Sequence, residues 1–288
     1  MATTAEINAL LNLIEDPDEE IFNSVSERFI GLGKETVQIL EDFKNSSSIQ
    51  DVQDKTQLII SKINLKYLSL NLSEWVANDG ESLIEPSLII ADYLNNETDR
   101  ETLFFELEKI RKSVWLELNN YLTPLEEINV INKIIFGYYK FKGKETSYPN
   151  IIDFDLYNVL LNKSGHSFPL AVLYLIVAEM LGISVRPVDV PKQNLLCYVE
   201  KSSFSLAEND TEILFYLDPS GGHVYTQNDI ENYLKKIDYF PHPIEIKPSS
   251  NTRFLKNWLF EISKSEKANG NTYNAQEIMR IAESLIEG

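Results

Sequence analysis

The sequence predicts an α+β chain in which helices flank one fully buried helix and a small antiparallel sheet. Three observations carry this. From Phe168 to Leu181 nearly every residue is apolar, a run too long for a typical strand and without a polar face, the pattern of a helix enclosed by its neighbours. Three short runs follow at once, Val185 to Val190, Leu195 to Val199 and Ile213 to Leu217, in which branched and aromatic side chains suit a pleated surface. Elsewhere apolar residues recur at helical spacing.

The elements follow in order. Thr3 and Glu6 have capping-box spacing ahead of Ile7, Leu10, Leu11 and Ile14, one face of a first helix. Asp16-Pro17-Asp18 breaks it and supplies a new N-cap, after which Ile21, Val25 and Phe29 line a second helix stopped by Gly31 and Gly33. Val37, Leu40 and Phe43 mark a third, Asn45 to Ser48 a loop, and Val52, Leu58, Ile59 and Ile63 a fourth. Short antiparallel helices on tight loops predict a HEAT-like or simple bundle module over 1–64, without a clean repeat period. Pro86 suits the first turn of a helix through Leu88, Ile89 and Tyr93; Thr98 with Glu101 has capping-box spacing ahead of Leu103 to Leu118; Thr123-Pro124 opens another helix. Lys142 to Asn150 is a polar loop, and Gly182 stops the buried helix. Ser202 to Thr211 is a polar connection, and Asp218-Pro219-Ser220-Gly221-Gly222 is a turn leading to a short fourth strand at His223 to Tyr225. Thr226 with Asp229 caps a helix through Ile230, Tyr233 and Leu234, and helices at about 251–266 and 274–286 close the chain. The expected domains are a helical module at 1–64, the core at 65–240 and a helical hairpin at 241–288.

Composition excludes several functions. The 288 residues are 43% hydrophobic and 24% charged, which fits a globular chain and not a disordered or fibrous one. The net charge of −18 repels nucleic acid and anionic lipid, so neither a nucleic-acid nor a membrane partner is expected. The lone Cys197 allows no internal disulfide and no thiolate-rich zinc site. No apolar stretch reaches the ~18 residues of a membrane span, and the N-terminus lacks the basic and apolar regions of a signal peptide. A cytoplasmic protein is expected. Phosphate-binding loops, dinucleotide fingerprints and metalloprotease helices are absent, and the acidic cluster Glu15 to Glu20 lacks the alternation of an EF-hand, so no cofactor or metal is expected.

A buried helix followed by an antiparallel sheet is the layout of papain-like and transglutaminase-like cores. The words Val159-Leu160, Gly165, Leu170 to Leu175, Leu181-Gly182, Pro191, Leu195-Leu196, Tyr198 and Phe215-Tyr216-Leu217-Asp218-Pro219 together resemble the SirB-type transglutaminase-like proteins of bacteria. Asp16 to Glu20, Val114 to Leu118, Leu122 to Glu126, Ser250-Asn251 and Leu255 extend the resemblance over nearly the whole chain. It implies a transglutaminase-like fold more strongly than any activity.

Active members of that fold place a Cys at the N-terminus of the buried helix, a His on a following strand and an Asp on a later one. By the resemblance the nucleophile's position falls at Ser167, and a Pro-Gly-His-Phe motif is replaced by Pro191-Lys192-Gln193-Asn194, so Gln193 stands for the base. Asp218 alone survives, and with no imidazole to orient it is expected to cap its own turn. Cys197 lies ~13 Å along the strand from Gln193 and reads as an inert core residue. His166, next to Ser167, points elsewhere on a helix start, and neither His223 nor His242 has an evident partner. The expectation is a catalytically inactive domain with degenerate positions Ser167, Gln193 and Asp218, whose groove binds a protein or peptide partner through His166, Ser167, Gln193, Asn194 and Asp218. The alternative is a hydrolase or acyltransferase using Ser167 or Cys197 as an unconventional nucleophile. A third reading is a helical module for self-association.

Overall fold

The structure, a computed structural model, describes residues 3–78, 80–95, 98–144, 150–201, 211–239 and 246–285. The chain divides into two compact units, Met1–Asn71 and Leu72–Gly288.

The first unit holds α1 (Thr4–Leu13), α2 (Glu19–Leu32), a 3-10 turn at Lys34–Thr36, α3 (Val37–Ser46) and most of α4 (Gln50–Ala77). Thr3 caps α1, accepting from the Glu6 N–H at 3.2 Å. The box is not closed, because the Glu6 carboxylate takes the Arg28 guanidinium instead. Asp18 caps α2 at 2.8 Å, as its place after Pro17 predicts. Ile14, Phe29, Leu40, Ile59 and Ile63 pack as the core of this unit. The fourth helix is longer than its apolar stripe suggested: between Gln50 and Ala77 there is no Gly or Pro to end it.

The second unit begins with α5 (Ile84–Leu94), α6 (Arg100–Trp115) and α7 (Pro124–Asn132), the last continuing as a π-helical turn through Lys133–Tyr138. The cap of α6 is Asp99, not Thr98: the Asp99 carboxylate accepts from the N–H groups of Glu101 and Thr102 at 3.0 and 3.3 Å. Then come β1 (Lys142–Gly143), a 3-10 turn at Ile151–Phe154, α8 (Leu156–Asn162) and β2 (Ser164–Gly165), which pairs parallel with β1. The sequence showed no sign of that two-residue pairing inside an expected loop. Of that loop, 145–149 lie outside the described residues, as do 202–210 of the polar connection between the second and third strands.

α9 (Ser167–Leu181) is the predicted enclosed helix: Leu170 through Ala178 are all buried. Gly182 ends it at φ +69°, a left-handed cap that a side chain would strain. The sheet follows as β3 (Val185–Val190), β4 (Gln193–Lys201), β5 (Thr211–Leu217) and β6 (Val224–Tyr225), ordered β3-β4-β5-β6 and antiparallel throughout. In register, Val190 faces Gln193 and Leu196 faces Leu217. Val188, Leu195, Cys197 and Tyr216 pack on Ile230 and Leu234 of α10 (Gln227–Lys236). By alternation, Asp189, Asn194 and Leu196 lie on the opposite face, toward α9. Two helices close the unit, α11 (Asn251–Ala268) and α12 (Thr272–Ser284). The chain before α11 is pinned to the outer edge of β3, the Ser249 N–H donating to the Pro187 carbonyl at 2.8 Å, and this brings α11 beside the N-terminus of α9. Among the described residues no helix is long and apolar enough to cross a membrane.

Candidate functional site

A groove of about 570 Å³ opens where the N-terminus of α9, the β3–β4 turn and one face of α11 meet. His166 is the N-cap of α9. Its Nδ1 accepts from the Phe168 N–H at 3.4 Å, while its backbone N–H donates to the Asp153 carbonyl at 2.8 Å. The ring lies between Phe154 and Phe168, at centroid distances of 4.2 and 5.8 Å. Burial pushes the His166 pKa down against the opposing pull of Glu261 and Asp153. The imidazole is therefore neutral near pH 7, and with Nδ1 accepting, its proton sits on Nε2.

Ser167 is the first residue of α9 and lines the groove. No described residue hydrogen-bonds its Oγ. Gln193 and Asn194 line the same groove from β4. Gln193 is exposed and its Nε2 donates to Tyr233 Oη at 3.4 Å, and that hydroxyl donates to the Pro191 carbonyl at 2.9 Å. Asn194 sits one residue on, across from Asp189, and its Nδ2 is enclosed without an acceptor.

Asp218 lies apart from this set. Its Oδ1 accepts from the Ser220 N–H at 2.8 Å, its carbonyl from the Gly222 N–H at 2.8 Å, and its N–H donates to the His223 carbonyl at 2.8 Å. His223 Nδ1 is 3.8 Å from Asp218 Oδ2 on a largely exposed ring, a neighbour that the sequence reading did not supply. Cys197 is 0% exposed and burial pushes its thiol up to about 12, so at neutral pH it is neither thiolate nor reachable. The structure thus brings four of the five expected groove residues together and leaves Asp218 in its turn. His242 lies outside the described residues. Among the described residues, no group of three His, Cys, Asp or Glu side chains is placed to hold a metal ion.

The far wall escaped sequence reasoning. Asp189 accepts from Asn257 Nδ2 at 3.0 Å and is bridged to Arg253, while Glu261 pairs with Lys264 at 2.5 Å. Arg253, Asn257, Glu261 and Lys264 follow one another at helical spacing along α11. That polar stripe was a visible signal, but any solvated helix face reads the same way.

An N-capped helix, buried from Phe168 to Ala178 and laid on an antiparallel sheet with a groove at its N-terminus, is the layout expected of a transglutaminase-like core. A sequence profile described as the transglutaminase-like superfamily matches residues 101–259, and the chain belongs to that superfamily. The chain is also similar to F-box only protein 21 of Mus musculus, at 33% identity over 69 residues, 24% of this chain and 11% of that protein. The Homo sapiens and Pongo abelii proteins of the same name match over the same length at 30% and 29% identity. The matched stretch is thus only 11% of the length of these curated relatives. No solved structure matches.

Proposed function

We propose that this chain is a SirB-type transglutaminase-like domain that has lost acyl transfer and uses its groove to hold a peptide segment of a partner protein in the reducing cytoplasm. The observation that carries the reading is the state of Ser167: it stands at the head of the buried helix, yet no imidazole hydrogen-bonds its Oγ and β4 offers it only the amides of Gln193 and Asn194. Acyl transfer on this fold needs a nucleophile, a group that takes and returns its proton, and a carboxylate to orient that group. An amide does not accept a proton near neutral pH. His166, though adjacent, spends Nδ1 on capping α9. Amides, hydroxyls and aromatic rings around an open depression are well suited to hydrogen-bonding an extended backbone. The alternative nucleophile Cys197 has nothing in its favour, being buried with a raised pKa.

The test is chemical. Amine incorporation into a glutamine donor, iodoacetamide labelling at neutral pH and reaction with a serine-directed fluorophosphonate are all expected at background. Turnover that disappears in Ser167→Ala, with the circular dichroism spectrum unchanged, overturns the inactive reading.

A further inference from the structure

We infer that α6 docks antiparallel on α6 of a second copy of this chain, an inference independent of the groove, to which α6 contributes no residue. The helix is apolar on both sides. Leu103, Leu107, Ile110 and Val114 bury its inner face, yet Phe104, Phe105, Trp115 and Leu116 stand on the outer one at 46, 66, 60 and 75% exposure. By helical spacing Phe104 and Trp115 share one line along the helix, and Phe105 and Leu116 the adjacent line, with about three turns between the ends. Exposed apolar residues scattered singly are ordinary, but paired lines of them on one helix leave a face without a cover. Beside this face Tyr139 Oη meets Ser113 Oγ at 2.9 Å, and Tyr138 packs edge-on against the Tyr139 ring at 5.0 Å, which widens the apolar surface.

Charge selects the occupant. A chain of net charge −18 repels its own kind at range, but residues 103–142 hold six Lys or Arg against five Glu and no Asp, so a second copy can approach here. On α6 the order of charges matters: Glu108 precedes the bases Arg111 and Lys112, and the apolar pairs lie at both ends. Reversed on itself, that pattern is its own complement. A two-fold axis level with Ile110 sets Phe104 against Trp115, Phe105 against Leu116, and Glu108 against Arg111 and Lys112 of the second copy. Within one copy Glu108 already holds Arg111 at 2.6 Å and Lys112 at 3.6 Å, so docking shares charges that are in place and buries no lone one. Lys109 is drawn aside, to Glu106 at 3.3 Å and over the Tyr139 ring. A wholly acidic or wholly basic partner would complement only half of this pattern.

The test is the mass of the full chain by sedimentation equilibrium from about 1 to about 100 µM, the range in which mass action reveals such a contact. A dimer is expected at the upper end. Phe105→Ser and Trp115→Ser, both at exposed positions, should each weaken it about tenfold. Glu108→Lys and Lys112→Glu should each weaken it as much by setting like charges across the axis. An equimolar mixture of these two charge variants should associate as the wild type does, because each supplies the other's missing partner. Rescue on mixing cannot arise within one chain, so it separates docking from any change in the folded monomer, and circular dichroism and melting check each variant. A wild-type chain that stays monomeric overturns the inference. So does a dimer untouched by the Phe105 and Trp115 substitutions, by the charge swaps, or by mixing them. None of these outcomes bears on the peptide-binding reading.

Discussion

The groove at the head of α9 and the Asp218–Gly222 turn are the two places where the family's catalytic positions fall by resemblance, and they are built on opposite plans. In the turn every polar group named is answered at home: Asp218 by Ser220, Gly222 and His223, the Gly222 carbonyl by Asn132 Nδ2 at 2.7 Å, and the Ser220 carbonyl by the Gly143 N–H at 3.0 Å. Asn132 is held in turn by Tyr174 of α9, whose hydroxyl donates to Oδ1 at 3.0 Å. In the groove, Asn194 Nδ2, Lys192 Nζ and Ser167 Oγ are left over. The two places thus differ in how their polar groups are used: those of the turn are absorbed into the scaffold, and part of those in the groove have no protein partner among the described residues.

The largest expected effect strikes the helix beneath both. Leu173 is fully buried in α9, so Leu173→Asp drives an unpaired carboxylate into the core and should abolish cooperative folding, a loss of roughly 5 kcal/mol or more. A soluble, cooperatively melting variant would show that α9 is not the shared floor. Next comes the turn. A Cβ on Gly222 would lie 2.7 Å from the Phe136 ring and 2.8 Å from Asn132, at φ +76°, so Gly222→Val should cost about 3 kcal/mol by chemical denaturation. If the comparison holds, that loss leaves the groove's peptide affinity within about twofold once the variant is folded.

What could be read from the sequence follows the same division. α9 was legible because its apolar run admits no exposed face, and Gly182 and the Thr226–Asp229 pair because capping chemistry is local. Asp99 displaced Thr98 as a cap because two adjacent cap-forming residues differ only in which backbone N–H groups they can reach. His166, Ser167, Gln193 and Asn194 could be named from two short words flanking α9 and the β3–β4 turn. Arg253, Asn257 and Glu261 could not, because only the pinning of Ser249 on β3 carries α11 to a groove some sixty residues earlier in the chain. Gln193 also illustrates the limit of a motif: strand alternation turns it toward Tyr233 and puts Asn194 on the face toward α9.

Unfilled polar capacity extends behind the groove. Asp155, N-cap of α8, is 0% exposed and its Oδ1 accepts from the Tyr157 N–H at 2.8 Å, but Oδ2 has no partner. Burial pushes its pKa up to about 6, helped by the charge of Asp92 and opposed by the N–H groups of Tyr157 and Asn158. Folding therefore raises the proton affinity of this carboxyl above its unfolded value near 3.8. The ionised form burdens the native state above about pH 6, and the burden fades as pH falls through 6 toward 4. Asp155→Asn keeps a capping oxygen and removes the charge. It should stabilise by about 1–2 kcal/mol at pH 7.5, with the advantage vanishing near pH 4. Parallel urea melts at both pH values decide it; an advantage independent of pH would mean that the carboxyl is not desolvated.

The smallest effect separates holding from binding most sharply. Lys192 has a left-handed φ of +61° in the two-residue turn that joins Val190 to Gln193, a conformation that costs a side-chain-bearing residue about 1 kcal/mol and glycine nothing. Glycine surrenders part of that gain through the greater freedom of its unfolded chain, so Lys192→Gly should stabilise by about 0.5 kcal/mol or less. Its ammonium has no partner among the described residues, so no native contact is lost to offset this. If Lys192 serves only the turn, the variant is slightly more stable and otherwise unchanged. If it serves the groove, the same variant gains stability while losing about tenfold in affinity for a peptide held there, the size of one charge-assisted bond. Opposite signs in the melt and the binding isotherm would mark Lys192 as a ligand-binding residue; a gain in the melt with an unchanged isotherm would return it to the scaffold, with Asp218.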